Sequence, residues 1–84
     1  MRAVRIYTTS WCPYCHRAKR VLEENGVPFT EIDVDGDAQQ RAWLRTTTGR
    51  HTVPQIFFDE ESIGGCDDLV ALVRAGKLDE RLAR

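Results

Sequence analysis

The 84 residues predict an α/β domain: one mixed four-stranded sheet with helices on both faces, in the order βαβαββα. Three observations carry that expectation. Residues 3–34 read as strand, helix and strand, a βαβ unit whose crossover is nearly always right-handed. Pro54 is followed by a short apolar run, a polar turn and a second short β run, the pattern of a hairpin. Gly64-Gly65 then opens into a helical apolar pattern that closes the chain.

The elements follow in order. Ala3 to Thr8 is β-rich through Val4, Ile6 and Tyr7, and Thr9-Ser10 breaks it. From Pro13 the pattern is helical, with proline suited to the first turn, and it stops at Asn25-Gly26. Pro28 to Val34 alternates as a strand. Asp37 with Gln40 three residues on resembles a capping box and opens a helix to about Thr46, where the β-branched run Thr46-Thr47-Thr48 weakens it and Gly49 ends it. A loop leads to Pro54; Gln55 to Phe58 is a buried strand, Asp59-Glu60-Glu61 a polar turn and Ser62-Ile63 the start of the partner strand. Cys66-Asp67-Asp68 begins a helix in which aspartate is a favoured cap; Leu69, Leu72 and Val73 form its apolar face before Gly76. A last turn or two spans about Leu78 to Leu82. A chain of this length is one domain, residues 1–84, with a modest core.

The chemistry concentrates at Trp11-Cys12-Pro13-Tyr14-Cys15. Helical positions i and i+3 share a face, so two thiols at this spacing suit a reversible disulfide. Cys12 falls where the helix begins, and there the unpaired N–H groups and the positive end of the helix dipole stabilise a thiolate. Cys12 is therefore the candidate nucleophile. Cys15 lies one turn inward on the face of Ala18 and Leu22, which makes it the buried resolving thiol. Cys12, Cys15 and His16 also spell the haem-attachment pattern C-x-x-C-H, but the sole methionine is Met1 and no exported leader precedes the motif. Zinc could recruit Cys66, His16 and His51 only without a second Cys pair, so no metal is expected.

Composition bounds the partners. With 12 basic and 13 acidic residues the net charge is −1, which argues against a nucleic-acid binder. The charges are sorted: residues 1–20 and 38–58 carry cations and no acids, while 23–37 and 59–68 hold most of the acids. If the two basic blocks meet, the thiols stand in a positive field that favours thiolate and a small anion. No apolar run approaches a membrane span, and no secretory leader is evident, so the expected location is the cytoplasm, as a monomer. There a Cys pair is more often redox-active than structural.

Four segments together resemble one family: Cys12-Pro13-Tyr14-Cys15 with His16-Arg17-Ala18-Lys19; Gly49-Arg50; Thr52-Val53-Pro54-Gln55-Ile56-Phe57; and Ile63-Gly64-Gly65-Cys66-Asp67-Asp68-Leu69. Over nearly its whole length the chain resembles the bacterial dithiol glutaredoxins of the glutaredoxin 3 type, within the thioredoxin fold. The resemblance implies a glutathione-dependent thiol–disulfide oxidoreductase acting on glutathionylated and disulfide-containing proteins, at about −200 to −230 mV. It implies a cis bond before Pro54, placing Val53 beside the thiols to pair with the glutathione backbone. It also implies that Tyr14 and Thr52 line a groove and that Gly65, Cys66 and Asp67 hold the γ-glutamyl end at a helix N-terminus. Arg41 would meet the glycine carboxylate. Thr9 stands where many glutaredoxins have lysine, and Trp11 before Cys12 is more like thioredoxins and mycoredoxins. A thioredoxin-like or mycoredoxin-like reductase using another electron donor, or a glutathione-ligated iron–sulfur cluster carrier of the kind some glutaredoxins are, are the alternatives this leaves open.

Overall fold

The computed structural model describes residues 1–83. Four strands, β1 (Val4–Thr8), β2 (Thr30–Asp33), β3 (Gln55–Phe58) and β4 (Glu61–Gly64), form one sheet in the order β2-β1-β3-β4. The helices are α1 (Pro13–Glu24), α2 (Ala38–Thr48), α3 (Cys66–Arg74) and α4 (Leu78–Ala83). β1 runs parallel to β2 and antiparallel to β3, and β3 antiparallel to β4, so the sheet is mixed. This is the expected thioredoxin-type architecture.

The two-residue period of the central strands divides the core between the sheet faces. Val4 and Ile6 lie opposite Phe58 and Ile56, and this face buries Ala18 and Leu22 of α1, Leu69 of α3 and Leu78 and Leu82 of α4. The opposite face carries Tyr7 and Phe57 against Leu44 of α2, with Val34. Trp43 extends that cluster, stacked on Phe57 and tilted against Tyr7 at centroid distances of 5.8 Å. Helices therefore cover both faces, three on one and α2 on the other.

Several boundaries differ from the sequence reading, each for a local reason. β2 is shorter than 28–34: Pro28 and Phe29 precede its pairing, and Val34 follows it while still donating its N–H to the Thr8 carbonyl at 2.9 Å. α2 continues to Thr48 because the Thr48 hydroxyl donates to the Leu44 carbonyl at 2.8 Å, after which Gly49 caps the helix in the left-handed region. β4 starts at Glu61, since Asp59 takes the left-handed turn position (φ 53°) and the turn is shorter than Asp59-Glu60-Glu61. A bulge in β4 leaves Ile63 as the extra residue between Ser62 and Gly64 and packs it on the α1/α3 core.

The N-terminus is tied to the far end of the sheet. The Arg2 guanidinium donates to Asp59, Glu61 and the Phe58 carbonyl, joining the start of β1 to the β3–β4 turn. Among the described residues no helix is long and apolar enough to cross a membrane.

Leu22, fully buried between α1 and the sheet, tests the core directly. Leu22→Ala should lower the unfolding free energy by about 2–5 kcal/mol, read from urea denaturation, with α1 retained by circular dichroism.

Candidate functional site

Strand register brings three distant segments to one end of the sheet. The pairing of Tyr7 with Gln55 sets residues 52–54, which precede β3, beside residues 9–12, which follow β1. The pairing of Ile56 with Gly64 sets the start of α3 at the same end. Cys12, Val53 and Gly65 thus become neighbours although they are far apart in the chain.

Cys12 is the N-cap of α1, in extended conformation, and its sulfur accepts the Cys15 N–H at 3.2 Å. A negative charge on that sulfur faces a helix N-terminus and a hydrogen-bond donor. The Cys12 thiol also reaches the Val53 carbonyl at 3.5 Å, and the Val53–Pro54 bond is cis. The segment before Cys12 is fixed from two directions: the Ser10 N–H donates to Asp35 at 2.8 Å, and the His16 ring lies 3.3 Å from the Ser10 carbonyl.

The two thiols differ sharply in environment. Cys12 is half-buried, whereas Cys15 has no exposed surface and packs on the helix face with Ala18 and Leu22. Burial, and secondarily the Cys12 sulfur beside it, pushes the Cys15 thiol up to about 12. Both are free thiols, as is Cys66. Cys66 is buried at the first position of α3, and burial raises its pKa as well.

Beside Val53 opens a groove of about 250 Å³. Tyr14 of α1, with Thr52, Val53 and Pro54, forms one part of its lining; Gly65, Cys66 and Asp67 form another. Seven of the residues singled out in the sequence therefore share one surface. Arg41 does not line it. Arg41 instead borders an adjoining space of about 10 Å³ with Leu44 and His51, and Thr52 and Val53 line both.

Two lining residues, Arg50 and Asp68, had no site role in the sequence reading. Asp68, the third residue of α3, accepts the Gly65 N–H at 2.9 Å, while Arg50 pairs with the same carboxylate at 2.9 Å. The Gly65 N–H first and Arg50 second hold the Asp68 carboxyl below its usual range. The helix is thus capped through Gly65 and Asp68, and Asp67 is left exposed in the groove. The spacing of an acid three residues after a glycine was the available signal.

Gly64 is needed for this geometry, and Gly65 leaves room for it. Gly64 has φ 112°, and a Cβ there would collide with the Asp68 carboxylate; a Cβ on Gly65 would come within 3.3 Å of the Pro54 carbonyl. The basic blocks do meet here, Arg17 acting on Cys66 and Arg50 lining the groove, but several cations are already matched. Arg50 is paired with Asp68, and Lys19 with Glu31 at 2.9 Å. Lys19 first and the Thr8 hydroxyl second lower the Glu31 carboxyl.

A mixed thioredoxin-type sheet with an unequal thiol pair at the start of α1 defines the class: thiol–disulfide oxidoreductases. The glutaredoxin family model matches residues 4–63. A glutaredoxin of Pseudomonas aeruginosa is 57% identical over 83 residues, covering 99% of each chain. Glutaredoxin 3 of Escherichia coli K12 is 54% identical over 82 residues, covering 98% of this chain and 99% of its own. Among solved structures, the Brucella melitensis glutaredoxin superposes with a TM-score of 0.88 at 49% identity, covering 98% of this chain and 89% of its own. A buckwheat glutaredoxin–glutathione complex reaches 0.89 at 30% identity, covering 98% and 77%. The chain belongs to the glutaredoxin family.

Three outcomes follow from this geometry. In the native reduced protein at pH 7–8, iodoacetamide should label Cys12 and spare Cys15 and Cys66 until denaturant is added, as read by peptide mass spectrometry. Because the folded Cys15 value lies above that of a free thiol (about 8.5), its contribution to stability is full below the free value. That contribution is lost as pH rises towards about 12, and comparing unfolding of wild type with Cys15→Ala across this range measures it. Gly64→Ala should cost about 1–3 kcal/mol and displace Asp68 from the Gly65 N–H, which amide exchange at Gly65 would report.

Proposed function

We propose that this chain is a glutathione-dependent thiol–disulfide oxidoreductase that reduces protein–glutathione mixed disulfides and protein disulfides through Cys12-Pro13-Tyr14-Cys15. The observation that carries the reading is the groove between Val53 and the start of α3, adjacent to the Cys12 sulfur. Its parts match the chemistry of glutathione. Among the described residues the Val53 N–H has no partner, so it can donate to a glutathione backbone carbonyl as an added strand would. The start of α3 suits an α-carboxylate, and the exposed Asp67 suits the neighbouring ammonium group. One solved relative is itself a glutathione complex, which supports the same ligand here.

The reaction runs as two exchanges. The Cys12 thiolate attacks the glutathione sulfur of a mixed disulfide; a Cys12–glutathione disulfide forms as the bond to the protein sulfur breaks, and the released protein thiolate takes up a proton. A second glutathione thiolate then attacks the bound glutathione sulfur, giving glutathione disulfide and regenerating the Cys12 thiolate. For an intramolecular protein disulfide, Cys12 forms the mixed disulfide with one target sulfur and releases the other. Cys15 then loses its proton and attacks the Cys12 sulfur, releasing the target as a dithiol and leaving a Cys12–Cys15 disulfide that two glutathione molecules reduce. Once the Cys12 sulfur is in a disulfide it carries no charge, which removes one cause of the raised Cys15 value at the step where Cys15 must ionise.

Cys12→Ser should reduce both activities to the uncatalysed background. Cys15→Ser should still turn over a glutathionylated peptide with glutathione and glutathione reductase, yet fail on a protein disulfide. Turnover by Cys12→Ser, or supply of electrons only by thioredoxin reductase or mycothiol, would contradict the assignment.

A further inference from the structure

Trp11 is 92% exposed, more than Met1, Tyr14 or Trp43. Tyr14 lines the groove and Trp43 stacks on Phe57, but no ring stacks on Trp11 among the described residues and it lies outside the groove lining. The indole is not left in solvent by a loose loop. Ser10 before it is fixed by Asp35 and faces the His16 ring, and Cys12 after it is the helix cap. The backbone on both sides is anchored, so an exposed aromatic side chain is presented by the residue that precedes the cysteine proposed to react.

This position has a consequence that rests on the glutathione reading. Displacement at sulfur is in line, so with glutathione in the groove and its sulfur facing Cys12, the departing protein sulfur points away from Cys12. The polypeptide attached to it is left outside the groove, on the exposed surface to which Trp11 belongs. The geometry points to Trp11 as a specificity contact for that polypeptide half, taking an aliphatic or aromatic side chain within a residue or two of the target cysteine. A second copy of the chain is a poorer occupant. One aromatic side chain buries only about 150–250 Å², against about 800 Å² per partner in a stable interface. The contact is therefore transient, serving recognition rather than assembly.

The test compares three substrates: a glutathionylated peptide with leucines flanking its cysteine, the same peptide with serines there, and the small mixed disulfide of cysteine and glutathione. Trp11→Ala should raise KM for the leucine peptide by about tenfold with kcat unchanged, as expected for a lost aromatic anchor. It should leave the small mixed disulfide unaffected and abolish the preference for leucine over serine; Trp11→Phe should restore most of the KM. Equal effects on peptide and small substrate, or none on either, would overturn the inference. Its failure is separable from that of the donor assignment. Cys12→Ser cannot turn over, so titrating it with the intact leucine peptide should blue-shift tryptophan emission, and adding Trp11→Phe should remove the shift. Absence of that Trp11-dependent shift overturns the inference whatever the donor, whereas loss of glutathione-driven turnover with the shift retained overturns only the donor.

Discussion

The structure depends on the register of β3 between β1 and β4. Antiparallel pairing of Tyr7 with Gln55 and of Ile56 with Gly64 fixes which residues stand at the end of the sheet where α1 begins. A one-residue slip would turn Phe57 and the Ile56/Phe58 pair to opposite faces and exchange the two cores. The hydrophobic pattern that stabilises the fold is thus the same pattern that delivers Val53 and Gly65 to Cys12. Fold and site have one cause.

Within that frame the thiols are made unequal chiefly by depth. Three residues of helix carry the chain from a half-buried N-cap at Cys12 to a fully buried face at Cys15. The backbone N–H of Cys15 serves the Cys12 sulfur, so the buried cysteine supports the exposed one even while its own thiol is held protonated by burial. At the far side of the groove, Asp68 occupies the Gly65 N–H and the Arg50 guanidinium, which leaves Asp67 unengaged by the helix cap. Two adjacent aspartates therefore have separate work, one structural and one facing the groove.

Much of this was legible in the sequence because it is local or periodic. Pro13 in the first turn, the Asp37 cap, Gly49 and the alternation of Val4, Ile6 and Tyr7 each act within a few residues, and their elements stand where expected. The groove residues Tyr14, Thr52, Val53, Pro54, Gly65, Cys66 and Asp67 were reached through resemblance, since nothing local in them announces a shared surface. Arg41, reached the same way, does not line the groove but borders a small space that shares Thr52 and Val53 with it. Arg50 and Asp68 are not legible in the sequence because their pairing depends on tertiary approach across eighteen residues. The end of α2 lies beyond the propensity-based expectation because β-branched threonines argue against helix, while the Thr48 hydroxyl bond to the Leu44 carbonyl extends it.

The central claim is that the groove beside Cys12 holds glutathione. The most direct measurement is an amide nuclear magnetic resonance map of Cys15→Ser before and after formation of its mixed disulfide with glutathione. The account predicts shifts at Val53, Gly65, Cys66 and Asp67 as well as around Cys12, with slowed exchange of the Val53 N–H. Shifts confined to residues next to Cys12, with Val53 and the start of α3 unmoved, would contradict it.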